Sequence, residues 1–158
     1  LVPVVVVAAE DGLIGKTLPP YPVGLDELQG VCIAGGPSLD RICDYGLAVI
    51  GRPATDPNRD ATPTQILAER NLEPEADQAR WRVTDAVAVP KPRKGYALQL
   101  GSCRLDRVDG AHIVAFVRHG DREYSRDVLW ARRLDIVSGK LQPVAIKRVD
   151  CINEGLGI

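Results

Sequence analysis

The 158-residue chain has no methionine, only two histidines, and no apolar run near the roughly 18 residues a membrane-crossing helix needs. No basic segment leads into a short apolar core either, so no secretory leader is legible, and the expectation is a soluble, cytoplasmic protein with no membrane partner. Lack of methionine and a start at Leu1 lead to a second expectation, that the natural start has been removed or that the chain is part of a longer product. The four cysteines lack the close pairing of zinc sites. Cys32 and Cys43 read as buried thiols, while Cys103 and Cys151 have the option of bridging if the protein is exported. His112 and His119 fall on one expected strand at odd spacing, hence on different faces, which makes them a poor metal pair. Neither metal nor cofactor is expected.

What the chain does have is an ordinary globular composition, 45% apolar and 26% charged. Its net charge of -1 conceals an asymmetry. Residues 1–79 hold five basic side chains against twelve acidic, a net of -7, and residues 80–158 hold fifteen against nine, a net of +6. Two regions follow from that division, an acidic one over 1–79 and a basic one over 80–158. The basic half would face an anionic partner or an acidic surface of the same protein, including self-association through the two halves.

The first half reads as alternating strands and helices. "VPVVVVAAE" at 2–10, "GVCIAGG" at 30–36 and "LAVIG" at 47–51 are nearly continuous apolar runs, as in parallel strands buried on both faces. Between them "LDELQ" reads as a short helix and "LDRICDYG" as a helix capped by Ser38 and stopped at Gly46. Thr62, Pro63 and Gln65 carry the cap, first-turn proline and third-position glutamine of a further helix. The expected fold is therefore three parallel βα units, TIM-barrel-like, followed from about residue 80 by an antiparallel β-rich module with turns at Asp109-Gly110, Gly120-Asp121 and Ser138-Gly139. Within that module "SRDVLWARRLDIV" is balanced between helix and strand, with strand slightly favoured.

A glycine-ended parallel strand that opens a helix aims backbone N–H groups and the helix dipole at a crevice, and such a crevice binds phosphate. Gly35 and Gly36 with Ser38 at one strand end, and Gly51 with Arg52 at the next, would form two halves of a phosphate cup. A phosphorylated small molecule is the partner this implies. Asp11 and Lys16, near another strand end, are weak candidates for a base and an anion-binding cation.

The stretch "VCIAGGPSLDRICDYGLAVIGRPATDPNRDATPTQILAE" resembles the last two βα units of the orotidine 5'-monophosphate decarboxylase superfamily, which includes 3-keto-L-gulonate 6-phosphate decarboxylase and hexulose-6-phosphate synthase. The resemblance covers residues 3–70. It implies a phosphate held by Gly35, Gly36, Gly51 and Arg52, a last helix opened by Pro63, and a lyase of the decarboxylase or aldolase type, in whole or as part of a larger enzyme. The Asp-x-Lys of that family's catalytic pattern occurs nowhere in the chain. "VVVVAAEDGLIGKTLPPYPVGLDEL" is also similar to the opening of dihydrofolate reductase, where Asp26 or Glu27 would handle a proton, although the tryptophan expected after Leu-Pro is missing.

The alternative function rests on the basic half. Arg80, Arg82, Lys91, Arg93 and Lys94 lead a series of cations, and Trp81, Tyr96, Tyr124 and Trp130 are available for stacking, the combination by which small β-barrels hold single-stranded nucleic acid. On that reading the chain is a non-enzymatic binding or assembly module for nucleic acid or a protein partner.

Overall fold

The computed structural model describes residues 12–110 and 112–155, and in that part the chain is built from twelve strands, every pairing antiparallel. The strands are β1 Thr17–Leu18, β2 Asp26–Ile33, β3 Tyr45–Arg52, β4 Thr62–Glu75, β5 Gln78–Ala88, β6 Ala97–Leu100, β7 Cys103–Leu105, β8 Ile113–Val117, β9 Tyr124–Ser125, β10 Val128–Asp135, β11 Lys140–Pro143 and β12 Val149–Ile152. Two single 3₁₀ turns, Leu39–Arg41 and Ile146–Arg148, are the helical elements among the described residues. The first sheet has the order β1-β5-β4-β3-β2, the second β11-β10-β8-β6, and the third β7-β12-β9.

This overturns the expected parallel βα units and with them the likeness to the decarboxylase barrel. The TIM-barrel-like and lyase readings fall with that likeness, and the reductase-like opening lacks its α/β setting. All of "LDELQ" after its leucine is the first part of β2 rather than a helix, and the segment capped by Ser38 makes only one 3₁₀ turn. The expected helix after Thr62 is β4, and the reason lies in its burial. Ile66, Leu67 and Ala68 are consecutive and all fully buried. A helix would turn one of three neighbours to solvent, whereas a strand between two cores buries them all. Pro63, which donates no hydrogen bond, sits opposite Gly51 where the β3–β4 register shifts. The run at 2–10 read as a strand lies outside the described residues.

Three apolar layers stack the sheets. Ile33, Leu47, Val49, Ile66 and Ala68 of the first sheet meet Leu100, Val114, Leu134 and Leu141 of the second. On the far side of the second sheet Ile113, Ala115, Val117, Val128 and Ala131 pack against Cys103, Val149 and Cys151 of the third. The outer face of the first sheet, with Ala48, Ile50, Leu67, Val83 and Ala86, is covered by Leu13, Leu18, Tyr21 and Leu25 from β1 and the segments on either side of it. A β-bulge at Thr84 lets its hydroxyl donate to the Gly139 carbonyl at 2.7 Å, and Asp85 accepts the Leu141 N–H at 2.7 Å. Those bonds tie the edge of the first sheet to the β10–β11 turn.

Two disulfides close the structure, Cys32–Cys43 across the β2–β3 loop and Cys103–Cys151 between directly opposed residues of β7 and β12. Cys32 and Cys43 are thus not free thiols, and the described chain has none. Among the described residues no helix is long and apolar enough to cross a membrane.

Candidate functional site: a basic groove on the third sheet

The antiparallel arrangement separates the residues of the expected phosphate cup. Gly35, Gly36 and Ser38 lie in the loop before β3, while Gly51 and Arg52 end that strand, about 23 Å away at 3.3 Å per residue. The glycines have packing reasons to be where they are. A side chain at Gly35 would run into the Asp44 carboxylate, one at Gly36 into the Arg41 guanidinium, and one at Gly51 into the backbone of Thr62 and Pro63. Arg41 and Asp44 pair at 2.9 Å, so a carboxylate, not an anion-binding amide, fills the space beside Gly35. The Ser38 hydroxyl caps nothing. Arg52 is exposed at the sheet end, and Lys16 is exposed with its carbonyl accepting the Val83 N–H at 2.9 Å. Asp11 lies outside the described residues.

The five leading cations of the basic half are dispersed as well. Arg80 pairs with Glu75 at 3.2 Å on the first sheet and Arg82 is on the same strand. Lys91, Arg93 and Lys94 occupy the exposed connector to β6, where Arg93 lies 5.5 Å from the Tyr96 ring. Of the four aromatics proposed for stacking, Tyr96, Tyr124 and Trp130 are already engaged, and Trp81 stands apart on the first sheet. Arg104 covers Tyr124 at 3.4 Å, Arg118 lies 5.3 Å from Tyr96, whose hydroxyl donates to Asp127, and Arg132 lies 4.7 Å from Trp130.

What the fold does assemble is a set of cations from three distant segments. The β7 turn brings Arg107, the segment either side of β9 brings Arg122 and Arg126, and the 3₁₀ turn before β12 brings Lys147 and Arg148. They line two shallow hollows of about 320 and 260 Å³ that share Arg126, with Arg118 at the far end. Six cations face four carboxylates there, Asp106, Asp121, Asp127 and Asp150. Arg118 pairs with Asp127 and Arg148 with Asp106. Among the described residues Arg107, Arg122, Arg126 and Lys147 have no such partner, and all four are exposed.

The floor of this face is rigid. Asp150, only 7% exposed at its side chain, accepts two bonds from Arg104 at 2.8 and 2.7 Å, a bidentate pair that holds its carboxyl below the usual range, assisted by Arg126 and Arg107. The Tyr96 hydroxyl, and then Arg118, do the same for Asp127. Arg107 is displayed by a tight turn in which Asp106 and Arg107 both have positive φ, 51° and 65°. These carboxylates are taken up by Arg104, Arg118 and Arg148. They do not neutralise all of the surrounding cations.

The residues thus define an antiparallel, disulfide-braced β-protein with one cation-rich groove and no group of three or more metal-ligating side chains among the described residues. Comparison of the chain with protein-family models, curated proteins and solved structures finds no match.

Proposed function

We propose that the chain is an exported binding protein whose groove on the third sheet holds an anionic polymer by charge. One observation carries this reading: Arg107, Arg122, Arg126 and Lys147 converge from three separate segments onto one continuous surface without ion-pair partners. Unpaired, hydrated cations in a row cost the fold little and give long-range attraction to a chain of negative charges. Because the neighbouring aromatics are already covered by arginines, recognition rests on charge rather than on stacking of bases. The two disulfides support an oxidising compartment, in place of the cytoplasmic one expected from the sequence, because such bonds persist there and are rare in a reducing cytosol.

Fluorescence anisotropy of the intact chain with labelled polyglutamate, a sulfated polysaccharide and oligothymidylate tests the proposal. The Arg107→Glu/Arg126→Glu/Lys147→Glu variant should bind each about tenfold or more weakly at low salt, since every reversed cation removes one counter-ion release. Equal binding of the variant, or equal binding of uncharged dextran, would rule the reading out.

A further inference from the structure

The outer face of the first sheet carries a second feature, unrelated to the basic groove. Gly30 of β2 and Gly46 of β3 leave a floor without side chains. The Glu27 carboxylate overhangs Gly30, reaching within 2.8 Å of where a side chain would begin, and the Trp81 ring stands 3.2 Å from the same point on Gly46. Glu69 is paired with Gly46 in the β3–β4 register. Together these groups bound a hollow of about 210 Å³, with Cys32 of the first disulfide in its wall.

Glu69 is 3% exposed, yet among the described residues it accepts no side-chain hydrogen bond and makes no ion pair. Among the described residues the charge that acts on it is that of Glu27, which is also negative. Burial, then Glu27, pushes its carboxyl up to about 8, and Tyr21 beside the site is raised to about 12 by burial and by Glu27, Glu69 and Asp26. Asp26 already accepts the Glu27 N–H at 2.8 Å. Residues 1–11 contain no lysine or arginine, so no basic side chain there can answer the charge.

We propose that this hollow binds a compact alkylammonium group, with Glu69 and Glu27 accepting its N–H donors and Trp81 and the glycine floor receiving its alkyl stem. An ammonium on an alkyl stem fits better than a metal ion, because only two carboxylates converge and the third wall is the Trp81 ring, which offers apolar surface and no metal ligand. The volume suits a side-chain-sized head rather than a larger ligand. A free amine and the lysine side chain of a partner protein share this chemistry.

The test is a titration of Trp81 fluorescence in the Trp130→Phe chain, which leaves Trp81 as the sole tryptophan. At about pH 9 Glu69 is ionised and a primary alkylamine still carries its proton. n-Butylamine should give a saturable change at millimolar concentration, and n-butanol none. Acetyl-lysine-N-methylamide (acetylated at the α-amine) binding more tightly than butylamine assigns the site to a protein partner, and equal or weaker binding assigns it to a free amine. Glu69→Gln should weaken butylamine at least tenfold, and Glu27→Gln, at the exposed rim, about threefold, which serves if the first variant does not fold. Butanol binding as well as butylamine, calcium displacing the amine, or unchanged affinity in both variants overturns the proposal.

Discussion

Replacing Glu69 by glutamine should remove a pH dependence of stability that the native chain carries. Burial and the Glu27 charge raise the folded-state pKa of Glu69 to about 8, from an ordinary glutamate value of 4.5. Between those values the folded chain keeps a proton that the unfolded chain has released, so stability must fall as pH rises, by about 1.4 kcal/mol per unit. Over the whole window the loss amounts to roughly 5 kcal/mol as an upper figure, and it stops growing above about pH 8. Glutamine has no such proton. Urea unfolding of both chains from pH 4.5 to 9 should therefore give curves that meet at the acid end and diverge upward in favour of Glu69→Gln by several kcal/mol. His112, whose pKa is lowered by burial and by Arg133, titrates in both chains and cancels in the difference. Parallel curves for the two proteins would refute the buried, uncompensated carboxyl on which the first-sheet site rests.

Other expectations follow from single features of the fold. The Cys103–Cys151 bond closes a longer loop than Cys32–Cys43, with separations of 48 and 11 residues, so Cys→Ala pairs should cost about 4 and about 3 kcal/mol respectively in urea unfolding; a reversed order would contradict the assigned pairing. Ala76 and Asp77 both have positive φ, 51° and 63°, in the two-residue β4–β5 turn, and Ala76→Asn with Asp77→Gly should add about 1 kcal/mol. Asp150→Asn leaves the Arg104 guanidinium over Tyr124 without its counter-charge and should cost about 3 kcal/mol near neutrality. Because Arg104 lowers the pKa of Asp150, that cost should shrink as pH falls through the carboxylate range, which thermal melting at pH 3 and 7 would show.

Part of this architecture is legible in the letters. The runs "LAVIG" and "IVAFV" mark strands buried on both faces, and Leu47 to Ile50 and Ile113 to Val117 are buried throughout. Continuity of apolar residues says nothing about direction, however, and antiparallel partners that stack three deep bury both faces as thoroughly as a parallel sheet does. Thr62, Pro63 and Gln65 carry a helix-start signature, but Ile66, Leu67 and Ala68 satisfy two cores at once, and that tertiary demand overrides local preference. Gly51 and Pro63 meet at a register shift that no local pattern announces. The sites are less legible still. Arg107, Arg126 and Lys147 are far apart in the chain and meet only because β12 pairs with both β7 and β9. Glu69 leaves one trace, a charged residue two positions after the buried Leu67 and so on the same face of the strand.

The central claim is that an anionic polymer lies on the third sheet and not at the glycine-rich ends of β3. Backbone amide shifts of the isotopically labelled, oxidised chain, followed by NMR as polyglutamate is added, test it most directly. Perturbations should concentrate at Asp106–Arg107, Arg122–Asp127 and Lys147–Asp150 and weaken steeply with salt. Shifts centred on Gly35, Gly36, Gly51 and Arg52, or a spectrum unchanged at low salt, would contradict it.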